Sequence, residues 1–260
     1  MAEHMPVSLG FKSGSTSVHT RRTMMLDDLA LALERVPQGG TPADYFGVIL
    51  NDNVLGKATR STREASAKIL TSLYGFDPTF VVFRILRRYW EVDAASRPMI
   101  AFLAASARDS MLREMTPFVL GIGIGETVTP TVITAKLVSI YPGRFQDSTA
   151  HATSRRLASS WTQAGFLTGK SNKKRSTPQV TPVVTSYAML LGYLCGLRGG
   201  FLLDSIWTRS LDRRSFELHD LALEASKQGW MNYKAAGAVV EITFPGLLTP
   251  IEEKVANEQN

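Results

Sequence analysis

Apolar residues recur at helical spacing in a segment that begins near residue 130. The residues of this face are Val132, Ile133, Leu137 and Ile140. Thr129-Pro130 precedes them with an N-cap hydroxyl and with a proline at the first helical position, where a helix needs no N–H donor. Pro142-Gly143 is typical of a helix end. The pattern predicts a helix across residues 130–140.

A second helix is predicted from Asp147-Ser148, a further N-cap signal, to Gly165. Its predicted inner face is formed by Ala150, Ser154, Leu157, Ala158, Trp161 and Ala164. Its outer face is mostly polar and carries Ser148, Thr149, His151, Ala152, Arg155, Arg156, Ser159 and Gln163. A helix that exposes Ser, Thr, His and Arg in its N-terminal half fits a DNA major groove.

Two short runs of strand-forming residues follow this helix and bracket a polar loop. We expect strands at residues 166–170 and 179–184, joined by the Lys/Arg-rich loop 171–178. Upstream, residues 126–128 have the length of a first strand, and residues 100–119 have the length of a first helix. The predicted order is helix, strand, helix, helix, strand, strand. This is the order of a winged helix-turn-helix, in which the final hairpin is the wing.

The rest of the chain is predicted to be mainly helical. Amphipathic or apolar segments predict helices at residues 24–35, 42–50, 59–74, 79–91, 186–197, 201–210 and 215–228. A Val/Ile-rich run at residues 238–244 predicts a strand. The expected fold class is therefore mainly α, with a helical N-terminal domain, a central winged helix-turn-helix with a small β-sheet, and a helical C-terminal region.

These elements divide the chain into four parts. Residues 1–22 are expected to be a flexible arm, because they are rich in Gly, Ser and Thr and lack the apolar core of a targeting segment. Residues 23–99 form the predicted N-terminal helical domain, and residues 100–186 the winged helix-turn-helix. The C-terminal helical region with one strand spans residues 187–260 and ends in a polar tail from residue 252.

Positive charge is concentrated in the predicted winged helix-turn-helix. The chain of 260 residues has a formal net charge of +6 and a pI near 9.5. Residues 121–186 contain eight Lys/Arg and two acidic residues, whereas the rest of the chain is balanced at 21 basic and 21 acidic residues. Local basicity favours a polyanionic partner, and its placement on this fold favours double-stranded DNA.

The predicted DNA-binding residues lie on the two central helices and the wing. They are Thr131, Lys136, Ser148, Thr149, His151, Arg155, Arg156, Lys170, Lys173, Lys174 and Arg175. The four residues from Ser148 to Arg155 are expected at base edges or nearby phosphates, and Arg156 and the wing residues at the backbone. A second possible DNA contact is formed by Lys57, Arg60 and Arg63 near another helix start, although such residues often belong to a solvated face.

The sequence lacks the common motifs of catalysis and metal binding. Four histidines and one cysteine, Cys195, provide no HExxH motif and no paired Cys/His set, so neither a metal site nor a disulfide is expected. Neither a Gly-x-Ser-x-Gly elbow nor a Walker loop is present, and the Gly-rich residues 121–125 lack dinucleotide spacing. We therefore expect a protein that is not an enzyme, without catalytic residues or cofactors.

The apolar run at residues 187–203 does not predict a membrane span, because Arg198 and several glycines interrupt it. With a single cysteine, the chain is expected to be cytoplasmic. A single winged helix contacts only a short stretch of DNA, so useful specificity would require a second contact surface, a homo-oligomer or a larger complex.

Short residue patterns spread along the chain resemble one known family. They are Arg155-Arg156-Leu157-Ala158-Ser159-Ser160-Trp161-Thr162-Gln163-Ala164-Gly165, Ala107-Arg108-Asp109, Leu112-Arg113, Phe83-Arg84-Ile85-Leu86 and Leu73-Tyr74. Together they resemble the BrxA family of BREX bacteriophage-exclusion systems, over residues 41–248. The resemblance implies a small, mostly helical, non-enzymatic component of a bacterial defence locus, with helix-turn-helix-like parts and DNA-binding ability.

Two further interpretations stay open at the level of sequence. Winged-helix folds also serve as protein-docking modules, so the chain could be an adaptor in a multi-subunit defence complex without nucleic-acid contact. Other defence-system proteins are possible partners under either interpretation. RNA binding is a variant of DNA binding that exposed aromatic residues on a sheet would favour, and the sequence indicates none.

Overall fold

The computed structural model describes residues 5–14, 16–237 and 239–258. In these ranges the fold is mainly α with two small antiparallel sheets, which confirms the predicted fold class. The α-helices are α1 (Leu26–Arg35), α2 (Pro42–Leu50), α3 (Arg60–Tyr74), α4 (Val81–Trp90), α5 (Arg97–Arg108), α6 (Ser110–Leu120), α7 (Pro130–Ile140), α8 (Asp147–Ala164), α9 (Pro182–Leu194), α10 (Ile206–Arg209), α11 (Ser215–Lys227) and α12 (Pro250–Asn257). The strands are β1 (Thr127–Val128), β2 (Leu167–Thr168), β3 (Lys173–Arg175), β4 (Asn232–Ala236) and β5 (Val239–Thr243).

Local capping signals fix several helix boundaries. The hydroxyl of Thr41 accepts from the Asp44 N–H while the Asp44 carboxylate accepts from the Thr41 N–H, and this capping box starts α2. Thr129 caps α7 through the N–H of Val132. Gly165 ends α8 with φ of +92°, a left-handed conformation that suits glycine. These boundaries agree with the sequence predictions because they depend on neighbouring residues only.

The winged helix-turn-helix is formed by α6, β1, α7, α8, β2 and β3 in chain order. The strands form a sheet of order β1-β3-β2, with Thr127 opposite Lys174 and Leu167 opposite Arg175. The central strand β3 lies within residues 171–178, which were predicted as a loop. Residues 179–184 were predicted as a strand, and this is wrong because Thr181 caps α9 and Pro182 occupies its first turn.

Helix α9 lies at the centre of the core, and each of its residues after Pro182 is buried. The hydroxyl of Tyr187 donates to the carbonyl of Val82 in α4 over 2.8 Å. The buried apolar residues form one continuous cluster that extends from Leu9 to Ala256. The N-terminal helices, the winged helix-turn-helix and the C-terminal region therefore share a single core.

The C-terminal region contains more structure than the sequence predicted. The one predicted strand is paired, since β4 and β5 form an antiparallel hairpin. Part of the expected polar tail belongs to α12, where Glu252 accepts two hydrogen bonds from Arg84 at 2.8 and 2.7 Å. Residues 201–210, predicted as one helix, are divided between the 3₁₀ helix Gly199–Asp204 and the short α10. Across the described residues, no helix has the length and apolarity needed to cross a membrane.

The N-terminal segment, which we define as residues 5–26, packs on the helices instead of forming a flexible arm. Two 3₁₀ helices, Val7–Leu9 and Val18–Thr20, lie within it. Phe11 is buried with its ring centroid 5.7 Å from that of Trp207, and the N–H of Lys12 donates to the carbonyl of Ala107. Residues 1–4 and Ser15 of the predicted arm lie outside the described residues.

Asp109 is the residue that fixes this segment to the helices. The backbone is extended at Asp109, with φ of −128° and ψ of 104°, so the predicted helix 100–119 is divided into α5 and α6. Its carboxylate caps α6 by accepting from the Leu112 N–H, and it also accepts from the Val18 N–H and the Ser17 hydroxyl. The carboxylate thereby joins the helix break to the N-terminal segment.

His19 extends these contacts to α8. Its Nδ1 donates to Asp109 Oδ2 over 3.0 Å, and its Nε2 lies 2.9 Å from the hydroxyl of Ser160. Ser160, His19 and Asp109 thus follow one another in the order of a hydrolase triad. Their side chains are buried, with His19 at 0% exposure and Asp109 at 1%, so a substrate has no access to them. These hydrogen bonds connect the break between α5 and α6, the N-terminal segment and α8, and we call the three residues the Asp109–His19–Ser160 network.

The pKa of Asp109 reflects this environment, so the contribution of the Asp109–His19–Ser160 network to stability can be tested by changing the pH. Burial raises the pKa, but the nearby His19, the Leu112 N–H and the Ser17 hydroxyl outweigh burial and lower it to about 2. The folded value thus lies below the ordinary value of 3.8. A carboxyl with a lowered pKa stabilises the fold above its unfolded pKa, and this contribution is lost as the pH falls through the folded pKa.

We predict that Asp109→Asn removes part of the acid sensitivity of the fold. The Asp109 carboxyl alone should lower the free energy of unfolding by about 2 kcal/mol as the pH falls from 4.5 to 2. The variant should be less stable than the wild type at pH 6, and the difference should shrink toward pH 2. Urea unfolding at several pH values measures this. Asp52→Asn, at an exposed residue, is the control, and parallel curves for wild type and Asp109→Asn would contradict the prediction.

Candidate nucleic-acid interface

Helices α7 and α8 pack together through the predicted inner face of α8 and through part of the predicted face of α7, since Val132 is exposed. Ile133 and Leu137 of α7 are buried, as are all six predicted inner-face residues of α8. A polar contact accompanies them, since the hydroxyls of Thr134 and Ser154 are 2.9 Å apart. Thr134 also lies 3.3 Å from Nδ1 of His151. The two helices therefore form a fixed pair that presents one side of α8 to solvent.

The turn between α7 and α8 is held by aromatic side chains. The guanidinium of Arg144 lies over the ring of Tyr141 at 4.9 Å and over that of Phe145 at 5.2 Å. The hydroxyl of Tyr141 donates to Glu114 of α6 over 2.5 Å. Burial and this carboxylate raise the pKa of Tyr141. The turn is thus tied to α6 and sets where α8 begins.

The N-terminal half of α8 is open to solvent. Ser148, Thr149, His151 and Arg155 are exposed, as predicted for the outer face. Thr131 and Lys136, the predicted contacts on α7, are exposed as well. These side chains provide hydroxyl, imidazole, ammonium and guanidinium groups, which are the donors that protein–DNA interfaces use most.

The C-terminal half of α8 is covered by the N-terminal segment, which the sequence did not indicate. Arg156 donates to the carbonyl of Thr20 over 2.8 Å, and the Ser160 hydroxyl accepts from the Met24 N–H over 2.9 Å. Gln163 accepts from the Leu26 N–H over 3.1 Å. The exposed surface of α8 is thereby limited to its first half, and Arg156 is partly used within the protein.

The basic residues of the wing differ in their environment. Lys170 and Lys174 are exposed. Lys173 is half-buried and donates to the Thr162 hydroxyl over 2.7 Å, and burial lowers its pKa. Lys170 and Lys174 are the wing residues whose charge is directed to solvent.

Arg175 is a structural residue, which corrects its assignment as a DNA contact. Its side chain is 1% exposed and forms an ion pair with Asp212 at 2.6 Å. It also donates from Nε to the carbonyl of Val119 over 2.8 Å and from a terminal nitrogen to the carbonyl of Phe166. These bonds fix β3 to the end of α6 and to the loop after α10.

The second predicted contact surface is largely occupied by internal contacts. Lys57 forms an ion pair with Asp28 at 2.9 Å, and Arg63 donates to the carbonyl of Leu50 over 2.7 Å. Arg60 is exposed but pairs with Glu64 at 3.0 Å. Lys57 and Arg63 are half-buried and fix the start of α3 against α1 and α2, so this second contact stays a prediction with fewer free charges than the sequence suggested.

A different basic surface lies nearby, and sequence reasoning missed it. Arg22 lines two clefts, of ≈ 510 Å³ and ≈ 540 Å³, and the cleft of ≈ 540 Å³ lies between the N-terminal segment, α3 and α8. Arg21, Arg22, Lys68 and Arg156 line it. The adjacent Arg21-Arg22 pair was the available signal, but it lay in a segment that was interpreted as a flexible arm.

Within the described residues, no group of three or more His, Cys, Asp or Glu side chains could hold a metal ion.

A scan of the chain against models of known protein families found no match, and a search among curated proteins found no match either. The resemblance to the BrxA family therefore stays a prediction from short residue patterns.

We predict that neighbouring wing residues differ in their effect on stability. Arg175→Met should lower the free energy of unfolding by about 3 to 5 kcal/mol, because it leaves Asp212 without its buried partner. Lys174→Met should change it by less than about 0.5 kcal/mol, since this side chain is exposed. Urea unfolding compares both variants with the wild type. Similar losses for the two variants would show that Arg175 is not the structural anchor of the wing.

Proposed function

We propose that the protein is a non-enzymatic DNA-binding protein that contacts duplex DNA through the N-terminal half of α8 and through the wing. The observation that carries the proposal is the exposure of Ser148, Thr149, His151 and Arg155 on α8 beside the exposed wing residues Lys170 and Lys174. In a winged helix-turn-helix these positions are the ones that face a major groove and its flanking phosphates.

The proposal assigns different tasks to the two sets of side chains. Arg155, Lys170 and Lys174 carry full positive charges, so they supply affinity for phosphates without regard to sequence. Ser148, Thr149 and His151 supply hydrogen bonds that depend on the base edges they meet. Arg175 is excluded from the set because it is buried and ion-paired. The resemblance to the BrxA family supports a role as an accessory component of a bacterial phage-defence system.

The same proposal bears on location and assembly. A duplex DNA partner in a bacterium implies a cytoplasmic protein. Because the exposed part of α8 is short, a homo-oligomer or another defence-system protein would extend the contacted DNA site. The accessory role is thus compatible with action inside a larger complex.

A protein-docking adaptor is the second candidate function. Phe201 is 76% exposed, Val239 is 72% exposed and Ile251 is 76% exposed, and all three belong to the C-terminal region. Exposed apolar side chains mark a protein interface when they lie together in one patch, and the adaptor function requires this of these three residues. The two candidates differ in the surface they require, since DNA binding uses α8 and the wing whereas docking uses the C-terminal region.

We predict that the protein binds duplex DNA with a strong dependence on salt. If Arg155, Lys170 and Lys174 each contact one phosphate, log K should fall against log salt with a slope of about −2.7 or steeper. The combined variant Arg155→Ala, Lys170→Ala, Lys174→Ala should lose this binding. Fluorescence anisotropy of a labelled duplex at several salt concentrations measures both.

The matched control is Lys227→Ala, Lys234→Ala, Lys254→Ala, which removes three exposed positive charges, each close to a glutamate, from the C-terminal half of the chain. This control should bind DNA as the wild type does. Binding that ignores salt, or equal losses in both triple variants, would contradict the proposed interface. If wild-type protein fails to bind DNA while Phe201→Ser abolishes capture of a partner protein, the adaptor function is supported instead.

A further inference from the structure

The cleft between the N-terminal segment, α3 and α8 has features of a second DNA contact that no sequence motif indicated. We propose that it binds backbone phosphates of the same duplex that α8 contacts. This inference rests on the proposed function, because it assigns a further site to the same partner. We call this cleft the basic cleft.

The walls of the basic cleft carry an excess of positive charge. Arg21 and Arg22 come from the N-terminal segment, Lys68 comes from α3 and Arg156 comes from α8. The acidic residue among the described lining residues is Glu64, which pairs with Arg60 at 3.0 Å. Ser61 also lines the cleft. A concave surface lined mainly by one sign of charge concentrates its field and attracts counter-ions of the other sign.

Internal hydrogen bonds position the cleft before any ligand arrives. Arg156 is half-buried, and one terminal nitrogen donates to the carbonyl of Thr20 over 2.8 Å. Arg22 donates to the carbonyl of Arg21 over 3.1 Å. Fixed guanidinium groups lose less conformational freedom when they bind a phosphate. Since the Arg22 bond is exposed and reaches only the preceding residue, the prepositioned guanidinium of the basic cleft is that of Arg156.

Arg21 and Lys68 provide charge that the protein does not neutralise. Both are exposed, and within the described part of the chain neither side chain has an ion pair or a hydrogen bond. By contrast, Lys57 of the neighbouring cleft is paired with Asp28 at 2.9 Å, and Asp27 lines that cleft as well. The excess of cations is thus a property of the basic cleft and not of the whole surface around it.

The basic cleft and the proposed interface both include residues of α8. Arg155 lies on the exposed face of α8, and the next residue, Arg156, lines the cleft. The two arginines lie about 100° apart around the helix axis, so the inference requires the backbone of the bound duplex to reach from the exposed face of α8 to the cleft. The phosphate backbone is the part of a duplex that a row of Arg and Lys side chains matches.

The test compares two variants that each remove two exposed positive charges. Arg21→Ala with Lys68→Ala changes the basic cleft, and Arg35→Ala with Lys227→Ala changes exposed residues of α1 and α11. The cleft variant should reduce the slope of log K against log salt by about 1.8, which corresponds to about 60-fold weaker binding at 0.1 M salt. The control variant should keep the wild-type slope.

Further variants separate a phosphate site from a loss of folding. Arg21→Lys with Lys68→Arg keeps both charges and should retain binding near the wild-type level. Thermal unfolding of all variants should match the wild type, because neither Arg21 nor Lys68 contributes a contact to the core. Lys68→Ala alone should reduce the slope by about 0.9.

The outcomes distinguish this inference from the proposed function. A wild-type protein without salt-dependent DNA binding would overturn both. If the wild type binds and the α8 and wing variant loses binding, an unchanged slope in the cleft variant would overturn the basic cleft alone. An equal reduction in the control variant would overturn it too, because the effect would then come from net charge.

Discussion

Hydrogen bonds to one buried carboxylate, that of Asp109, hold the N-terminal segment against the winged helix-turn-helix. Asp109 ends α5, caps α6 and accepts hydrogen bonds from the N-terminal segment. His19 of that segment contacts Asp109 through Nδ1 and Ser160 of α8 through Nε2. A buried carboxylate is stable only where donors surround it, so these elements must come together at this point. The coverage of α8 follows from this constraint, since the segment that His19 holds lies across the second half of the helix.

The candidate interface has fewer exposed cations than the Lys/Arg content of the sequence suggests. In the wing, Lys174 is exposed while Arg175 is buried, because neighbouring residues of a strand point to opposite faces. One arginine of the Lys/Arg run therefore anchors the hairpin to α6 and Asp212, and the exposed lysines remain for a partner. The same division applies on α8, where Arg155 faces solvent and Arg156 donates to Thr20.

Sequence reasoning succeeded where structure depends on local chemistry. The starts of α2 and α7 were predictable from a Thr-Pro pair, and the inner face of α8 from its apolar spacing. It failed where a residue meets a distant partner. Neither Phe11 nor His19 belongs to an apolar pattern, yet both are buried against residues far along the chain.

The candidate site shows the same limit. The exposed positions of α8 could be predicted from helical periodicity, whereas the internal partners of Arg175, Lys57 and Arg63 could not. Each of these cations is held by a carboxylate or carbonyl whose proximity results from tertiary packing. Composition identifies how many cations a segment has, and the fold decides which of them stay available to a polyanion.

Photo-crosslinking from a single position tests the central claim most directly. A benzoylphenylalanine at Thr149, on the exposed half of α8, should crosslink to a labelled duplex, and the yield should fall as salt rises. The same residue in place of Phe216, which is 56% exposed on α11, should give little crosslinking. Equal yields from the two positions, or crosslinks from Phe216 alone, would contradict the assignment of α8 as the DNA-contacting helix.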